Sequence, residues 1–193
     1  MKKALVVVAH PDDETIWMGG KIIREKELQW TILSLCRKND SDRKPRFFNA
    51  CRELNARPFM SDLDDDHPEK KIPDLDEVIR RIEPVAIDKE FDFVFTHGKN
   101  GEYGHNRHVE VNEAVEKMAG EGLLKCKSLL EFDYLRGKNP FECVPNPKAK
   151  IKFALNSEEF EKKKYLIRKV YNFSEDSFEY LSCSGVETFS KVF

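Results

Sequence analysis

With 193 residues, 40% hydrophobic and 35% charged, the chain is long enough to bury a core, and it is read as a single domain over residues 1–193. A formal net charge of −2 gives no pull toward nucleic acid or an anionic membrane surface. The apolar run after Met1-Lys2-Lys3 is too short for a leader, and no run nears the roughly 18 apolar residues of a membrane span. The five cysteines are scattered without a Cys-x-x-Cys pair, which disfavours a disulfide scaffold or thiolate zinc knuckle and points to a reduced, cytoplasmic setting.

Residues 3–9 are a valine-rich apolar run, the pattern of a fully buried parallel strand. The run ends in His10-Pro11-Asp12-Asp13-Glu14, and residues 15–27 have helical spacing, so a histidine and two aspartates crowd the turn between them. A second strand is expected over 30–36, then a polar loop over 37–44. Residues 46–56 place Phe47, Ala50, Cys51 and Leu54 on a helical stripe, and 58–60 suit a short strand. Residues 61–73, with Asp62, Asp64, Asp65, Asp66 and His67, read as a solvated loop on the rim; the ligand spacing of a calcium loop is absent. A helix starts at Asp74 with Glu77 as capping partner, and Pro84 is expected to break or kink it.

Residues 91–96 are expected to form a strand that ends in His97-Gly98, followed by a glycine-punctuated loop. Asn106 is the expected N-cap of a helix running to Ala119. A strand over 127–135, a loop over 136–148, an edge strand over 150–155 and a helix over 157–171 capped by Asn156 and Glu159 follow. The tail, 172–193, has no clear period, but its aromatics suit packing on the body. Alternating strands and helices predict a layered α/β sandwich with a mostly parallel sheet, whose ligands bind at the carboxyl ends of the strands. No dinucleotide or phosphate-binding glycine loop is present, and the acidic first turn would repel phosphate.

His105-Asn106-Arg107-His108 is the second informative stretch. Its histidines fall at the mouth of the 91–96 strand, the same rim as the His10 turn if the strands are parallel. Two imidazoles and one carboxylate make an open zinc site, though nitrogen and oxygen ligands also suit another divalent transition metal. Neighbouring carboxylates in a turn diverge, so one binds the cation and the other is free to take a proton from water. That division of labour describes a hydrolase. Cys36, near a strand end, is expected to be a core thiol.

Ala9-His10-Pro11-Asp12-Asp13-Glu14, with Tyr103-Gly104-His105-Asn106-Arg107-His108 later, resembles the PIG-L/LmbE-like family of zinc-dependent N-acetylglucosaminyl deacetylases. The resemblance implies a Rossmann-like three-layer fold with Zn2+ held by His10, Asp13 and His108. It further implies Asp12 as general base, His105 as the residue polarising the amide carbonyl or acting as acid, and Tyr103 as a donor to the oxyanion. Arg46 resembles an arginine used on the sugar, although Asn49 stands where a glutamate is usual. His97 is expected to support the site rather than bind metal. The family commonly reads His-Pro-Asp-His at the second motif; Arg107 in place of the acid implies altered hydrogen bonding around the third ligand, or an anionic substrate.

The expected function is therefore removal of the N-acetyl group from a small-molecule or glycoconjugate N-acetyl sugar, by a cytoplasmic enzyme with no nucleic-acid partner and no membrane span; a homo-oligomer is compatible with it. The alternatives are an amidase acting on another small N-acyl compound, and a non-catalytic sugar- or nucleotide-binding protein.

Overall fold

The computed structural model describes residues 1–87 and 89–193. In chain order the elements are β1 (Lys3–Val8), α1 (Asp13–Arg24), β2 (Gln29–Cys36), α2 (Arg43–Glu53), β3 (Arg57–Leu63), α3 (Leu75–Ala86), β4 (Glu90–Thr96) and the short turn α4 (Gly101–Gly104). They continue with α5 (Asn106–Gly120), β5 (Lys125–Phe132), β6 (Tyr134–Arg136), β7 (Cys143–Pro145), β8 (Ile151–Ala154), α6 (Ser157–Tyr165), a π-helical turn (Leu166–Val170), α7 (Phe178–Leu181) and β9 (Val186–Lys191).

A seven-stranded sheet has the order β3-β2-β1-β4-β5-β9-β8. β1 to β5 run parallel, and β9 and β8 add antiparallel pairs at one side. The valine run of β1 is buried on both faces because successive side chains point to opposite sides of a strand. Ala4, Val6 and Val8 join the core under α1, α2 and the π-turn, and Leu5, Val7 and Ala9 join the core under α3 and α5. The result is a three-layer α/β sandwich. The chain order reverses between β1 and β4, which lie side by side, and a crevice at such a switch point is where open α/β sheets bind ligands.

Several local expectations are corrected. α3 runs through Pro84 to Ala86. Pro84 is exposed, so the backbone bond it forgoes lies on the solvent side, while Val78, Ile79, Ile82, Val85 and Ala86 bury the opposite stripe. Asp74 caps α3 by accepting from the Asp76 N–H rather than through a pair with Glu77. α5 is capped by His105, whose side chain accepts from Arg107 N–H, and Asn106 is its first residue. The expected strand over 127–135 ends at Phe132, and the expected loop after it contains the β6–β7 hairpin.

The tail supplies β9, an interior strand. Its inward Glu187 hid it from pattern reading. That carboxylate is fully buried, paired with Lys163 Nζ at 2.7 Å, and accepts from the N–H groups of Gly20 and Lys21. Those donors are free because the non-helical backbone at Met18 interrupts α1. The expected edge strand at 150–155 is β8, at the sheet edge, and the Asn156/Glu159 capping box is present. Among the described residues no helix is long and apolar enough to cross a membrane.

Candidate metal and active site

β1 delivers His10 and β4 delivers His97 to the same rim, and α5 points His108 between them. His10 Nδ1, Asp13 Oδ2 and His108 Nε2 face one another with separations of 3.4 Å (His10–Asp13), 3.5 Å (His108–Asp13) and 3.2 Å (His10–His108). A tetrahedral zinc with bonds of about 2.0–2.1 Å holds its ligand atoms about 3.3–3.4 Å apart.

The outer nitrogens support the same reading. His10 Nε2 donates to Asp65 Oδ1 at 3.2 Å, and His108 Nδ1 donates to Glu102 Oε2 at 2.5 Å. With both rings neutral and their protons engaged outward, two imidazole lone pairs face each other beside a carboxylate oxygen. That arrangement repels itself unless a cation lies between, so the residues fit a divalent metal. Carboxylates on the outer nitrogens of ligating histidines fix tautomer and ring orientation.

Sequence reasoning missed both of these carboxylates. Glu102 is buried and has a left-handed backbone, φ 58°. Its Oε2 also accepts from His97 Nδ1 at 2.8 Å, and its Oε1 accepts from Gly98 N–H at 2.8 Å. His97 Nε2 in turn accepts from Ala9 N–H at 2.9 Å, so His97 ties β1 to Glu102. Asp65, from the loop read as solvated, is held by Arg37 at 2.7 Å. Cys36 comes closer than expected: its Sγ lies within 4.8 Å of ligand atoms of His10 and Asp65. The acid-rich spacing was the one available hint of Asp65; nothing local marked Glu102.

The neighbouring aspartates are driven apart. Burial works against the Asp13 charge, but His108, His97 and the His10 hydrogen bond outweigh it and hold that carboxyl well below the usual range. Asp13 Oδ1 accepts from Trp17 Nε1 at 3.0 Å, which fixes the carboxylate plane. For Asp12, burial and then the Asp13 charge push the carboxyl well above the usual range. Its Oδ2 is 3.1 Å from Arg43 Nη1. Asp12 has φ 116°, an uncommon conformation for a side-chain-bearing residue, and Glu14 Oε2 accepts its N–H at 3.1 Å. Tyr171 hydroxyl donates to Glu14 Oε1 at 2.7 Å, so the end of the π-helical turn secures the first turn of the chain.

Asp12, Tyr103 and His105 line a cavity of about 260 Å³ that also reaches His10 and Asp13, together with Arg43, Pro68 and Phe178. His105 Nδ1 accepts from Arg107 N–H at 3.2 Å, which leaves the proton on Nε2. Burial, then the neighbouring His108 and His10, lower its pKa to about 3, so the ring is a neutral donor. Burial, then the Asp13 and Asp12 charges, push the Tyr103 hydroxyl up and keep it protonated. Arg46 is not part of this wall: it bonds Asp42 and, at 2.9 Å, the carbonyl of Tyr171. Arg107 does not face the cavity either; it is buried beneath the acidic loop. A larger concavity, about 1090 Å³, lies at the opposite ends of the strands beside Trp30 and Phe59, and none of the histidines lines it.

Residues 5–119, more than half of the chain, match the PIG-L family model, described as GlcNAc-PI de-N-acetylase. The chain belongs to the PIG-L family. The PIG-L match runs from β1 through almost all of α5, the span holding His10, Asp13 and His108. A curated relative, the N-acetylglucosaminyl-phosphatidylinositol de-N-acetylase of Bos taurus, is 29% identical over 63% of this chain and 52% of the bovine protein. An uncharacterized protein of Acanthamoeba polyphaga mimivirus is 25% identical over 58% of this chain and 55% of the viral one. The chain thus spans about half the length of the curated relatives it matches.

Among solved structures, the N,N'-diacetylchitobiose deacetylase of Pyrococcus horikoshii has TM-score 0.69 at 16% identity, covering 99% of this chain and 84% of that one. The 4-carboxy-2-hydroxymuconate hydratase of Pseudomonas putida has TM-score 0.66 at 18% identity, covering 100% and 97%. At these identities the PIG-L chain shares a fold with both a deacetylase and a hydratase, and fold does not choose between reactions.

Proposed function

We propose that this chain is a divalent-metal-dependent hydrolase, with zinc at His10, Asp13 and His108, that removes the N-acetyl group from a small-molecule or glycoconjugate N-acetylglucosaminide and releases acetate and a free amine. The observation that carries this is the pairing of a three-atom ligand triangle with a second, adjacent carboxylate, Asp12, turned to the cavity. The family description and the name of the bovine relative support an amide of N-acetylglucosamine as substrate. A bound zinc would acidify water and polarise the scissile carbonyl.

This chain's own groups supply the rest. Asp12, its proton affinity raised by burial, takes the proton from the attacking water and returns it to the departing nitrogen. His105 Nε2–H and the Tyr103 hydroxyl are donors placed on the cavity wall for the developing oxyanion. Arg43, rather than Arg46, is the cation that α2 presents to substrate, and Phe178 against Tyr103, with ring centroids 4.7 Å apart, closes the wall for the sugar face.

The test is acetate release from a panel of N-acetylglucosaminides by zinc-loaded protein. Asp12→Asn should retain metal and lose about 10²–10⁴-fold in rate, the usual contribution of a general base. His108→Ala should lose metal. Full activity in Asp12→Asn would remove it as base; N-acyl substrates outside the sugars turning over best would favour the amidase reading; metal uptake without turnover of any amide would favour a binding protein.

A further inference from the structure

We propose that Arg107 is a positioning residue that anchors the acidic loop, residues 64–72, onto α5 and thereby sets Asp65 against the outer nitrogen of the ligand His10. This rests on the reading of His10 as a metal ligand. Arg107 precedes the ligand His108 in the first turn of α5 and is 1% exposed. Its guanidinium spreads its donors over the loop backbone: Nε to the Asp64 carbonyl at 2.6 Å, Nη1 to the Lys70 carbonyl at 2.9 Å and Nη2 to the His67 carbonyl at 3.3 Å.

A buried cation needs a counter-charge, and Glu110 supplies it, with Oε2 2.8 Å from Nη1. The other Glu110 oxygen accepts from Ile72 N–H at 2.7 Å. Asn106 Nδ2 adds a bond to the Pro68 carbonyl at 3.0 Å. One helical turn thus grips the loop at 64, 67, 68, 70 and 72, a stretch with no regular structure of its own between β3 and α3. A planar guanidinium fixes five donors spread over three nitrogens, matching carbonyls set apart along the loop; a lysine ammonium has three donors on one atom.

The loop places two groups at the site. Asp65 bridges His10 Nε2 and Arg37, and Pro68 lines the cavity. A rigid α5 therefore holds one ligand, His108, directly and orients a second, His10, through Arg107, the loop and Asp65.

The experiment uses the 193-residue chain carrying Arg107→Met, Asp65→Asn or both. Amide hydrogen exchange is read on metal-free protein, zinc affinity by competition with a chromogenic chelator, and ligand geometry by the visible bands of the cobalt-loaded protein. The expected result for Arg107→Met is faster exchange across 64–72 and a roughly ten- to hundredfold loss of zinc affinity, the usual effect of losing an outer-shell partner. Its cobalt spectrum should shift as in Asp65→Asn, and the double variant should bind zinc no more weakly than the worse single. Arg107→Lys should not rescue affinity. Should Arg107→Met fail to fold, Glu110→Gln is read the same way, with faster exchange at 70–72 and weaker zinc expected. Wild-type exchange in Arg107→Met, or a freed loop with unchanged zinc affinity and cobalt spectrum, overturns the proposal alone. A wild-type protein that takes up no zinc overturns the metal reading and, with it, the role of Asp65.

Discussion

At the scale of single residues, the site depends on giving chemically identical groups different surroundings. Asp12 and Asp13 are neighbours, yet Asp13 is held ionised among imidazoles and an indole N–H, whereas burial and the Asp13 charge raise Asp12. The histidines divide likewise. His10 and His108 give their outer protons to carboxylates, and His105 gives its Nδ1 lone pair to a backbone N–H and keeps a proton for the cavity. Glu102 is the residue on which this sorting turns, because one of its oxygens receives both His97 and His108. Glu102→Gln would offer that histidine pair either a weaker acceptor or an N–H. It should lower zinc affinity by roughly ten- to hundredfold, measured by chelator competition. Unchanged affinity would reduce Glu102 to a packing role.

At the scale of elements, the exits of β1 and β4 are two of the places where the chain accepts unusual backbone. Asp12 and Glu102 both have positive φ, and each follows a strand that lies at the switch point of the sheet. The cost of such positions is of order 1–3 kcal/mol each and is offset by the contacts that define them. Gly98 is equally constrained for a different reason. A Cβ there would lie 2.4 Å from the Phe132 carbonyl oxygen, a backbone atom in the neighbouring strand. Gly98→Ala must therefore shift β4 against β5 and displace the N–H that Glu102 accepts. It should lower the urea midpoint by an amount equivalent to about 1–3 kcal/mol and weaken zinc affinity with it, since overpacking costs are of this size. A stable variant with full zinc affinity would show that the strand exit has room to yield.

At the scale of the whole molecule, burial of carboxyl groups gives the fold a pH signature. Glu131, on β5, is 4% exposed; burial, and then its neighbour Glu116, push it from 4.5 to about 7 against the Asn112 hydrogen bond. In the unfolded chain the proton leaves near 4.5, and in the folded chain it leaves only near 7. The folded state therefore binds more protons in that window, and the Glu131 contribution to stability falls as pH rises through it. Urea midpoints of wild type relative to Glu131→Gln should decline across the same window and level off above it. A pH-independent difference would refute the assignment. Asp65, drawn down to about 2 despite burial by His10 and Arg37, acts in the opposite sense, which is why the comparison with a variant is needed.

The sequence by itself determined what is local. The valine run, the strand–helix alternation and the two histidine stretches located a parallel α/β sheet and the residues that gather at its carboxyl rim. These patterns survive because side-chain periodicity and turn chemistry act over a few residues. What needed the tertiary structure was every group whose role is set by a distant partner. Asp65 lies 55 positions from His10, and Glu102 becomes a support for two imidazoles only after β4 and α5 meet. Arg107, a departure from the family motif, is a buried loop anchor rather than a contact for substrate, because its partners are backbone carbonyls of a segment some 40 residues earlier. Arg43 lines the cavity and Arg46 does not, although they lie one turn apart on α2, because Asp12 holds the first guanidinium and Asp42 with the Tyr171 carbonyl holds the second. Hydrogen bonds and ion pairs between remote segments leave no period in a sequence, so the residues proposed as ligands were legible and most of the groups that hold them were not.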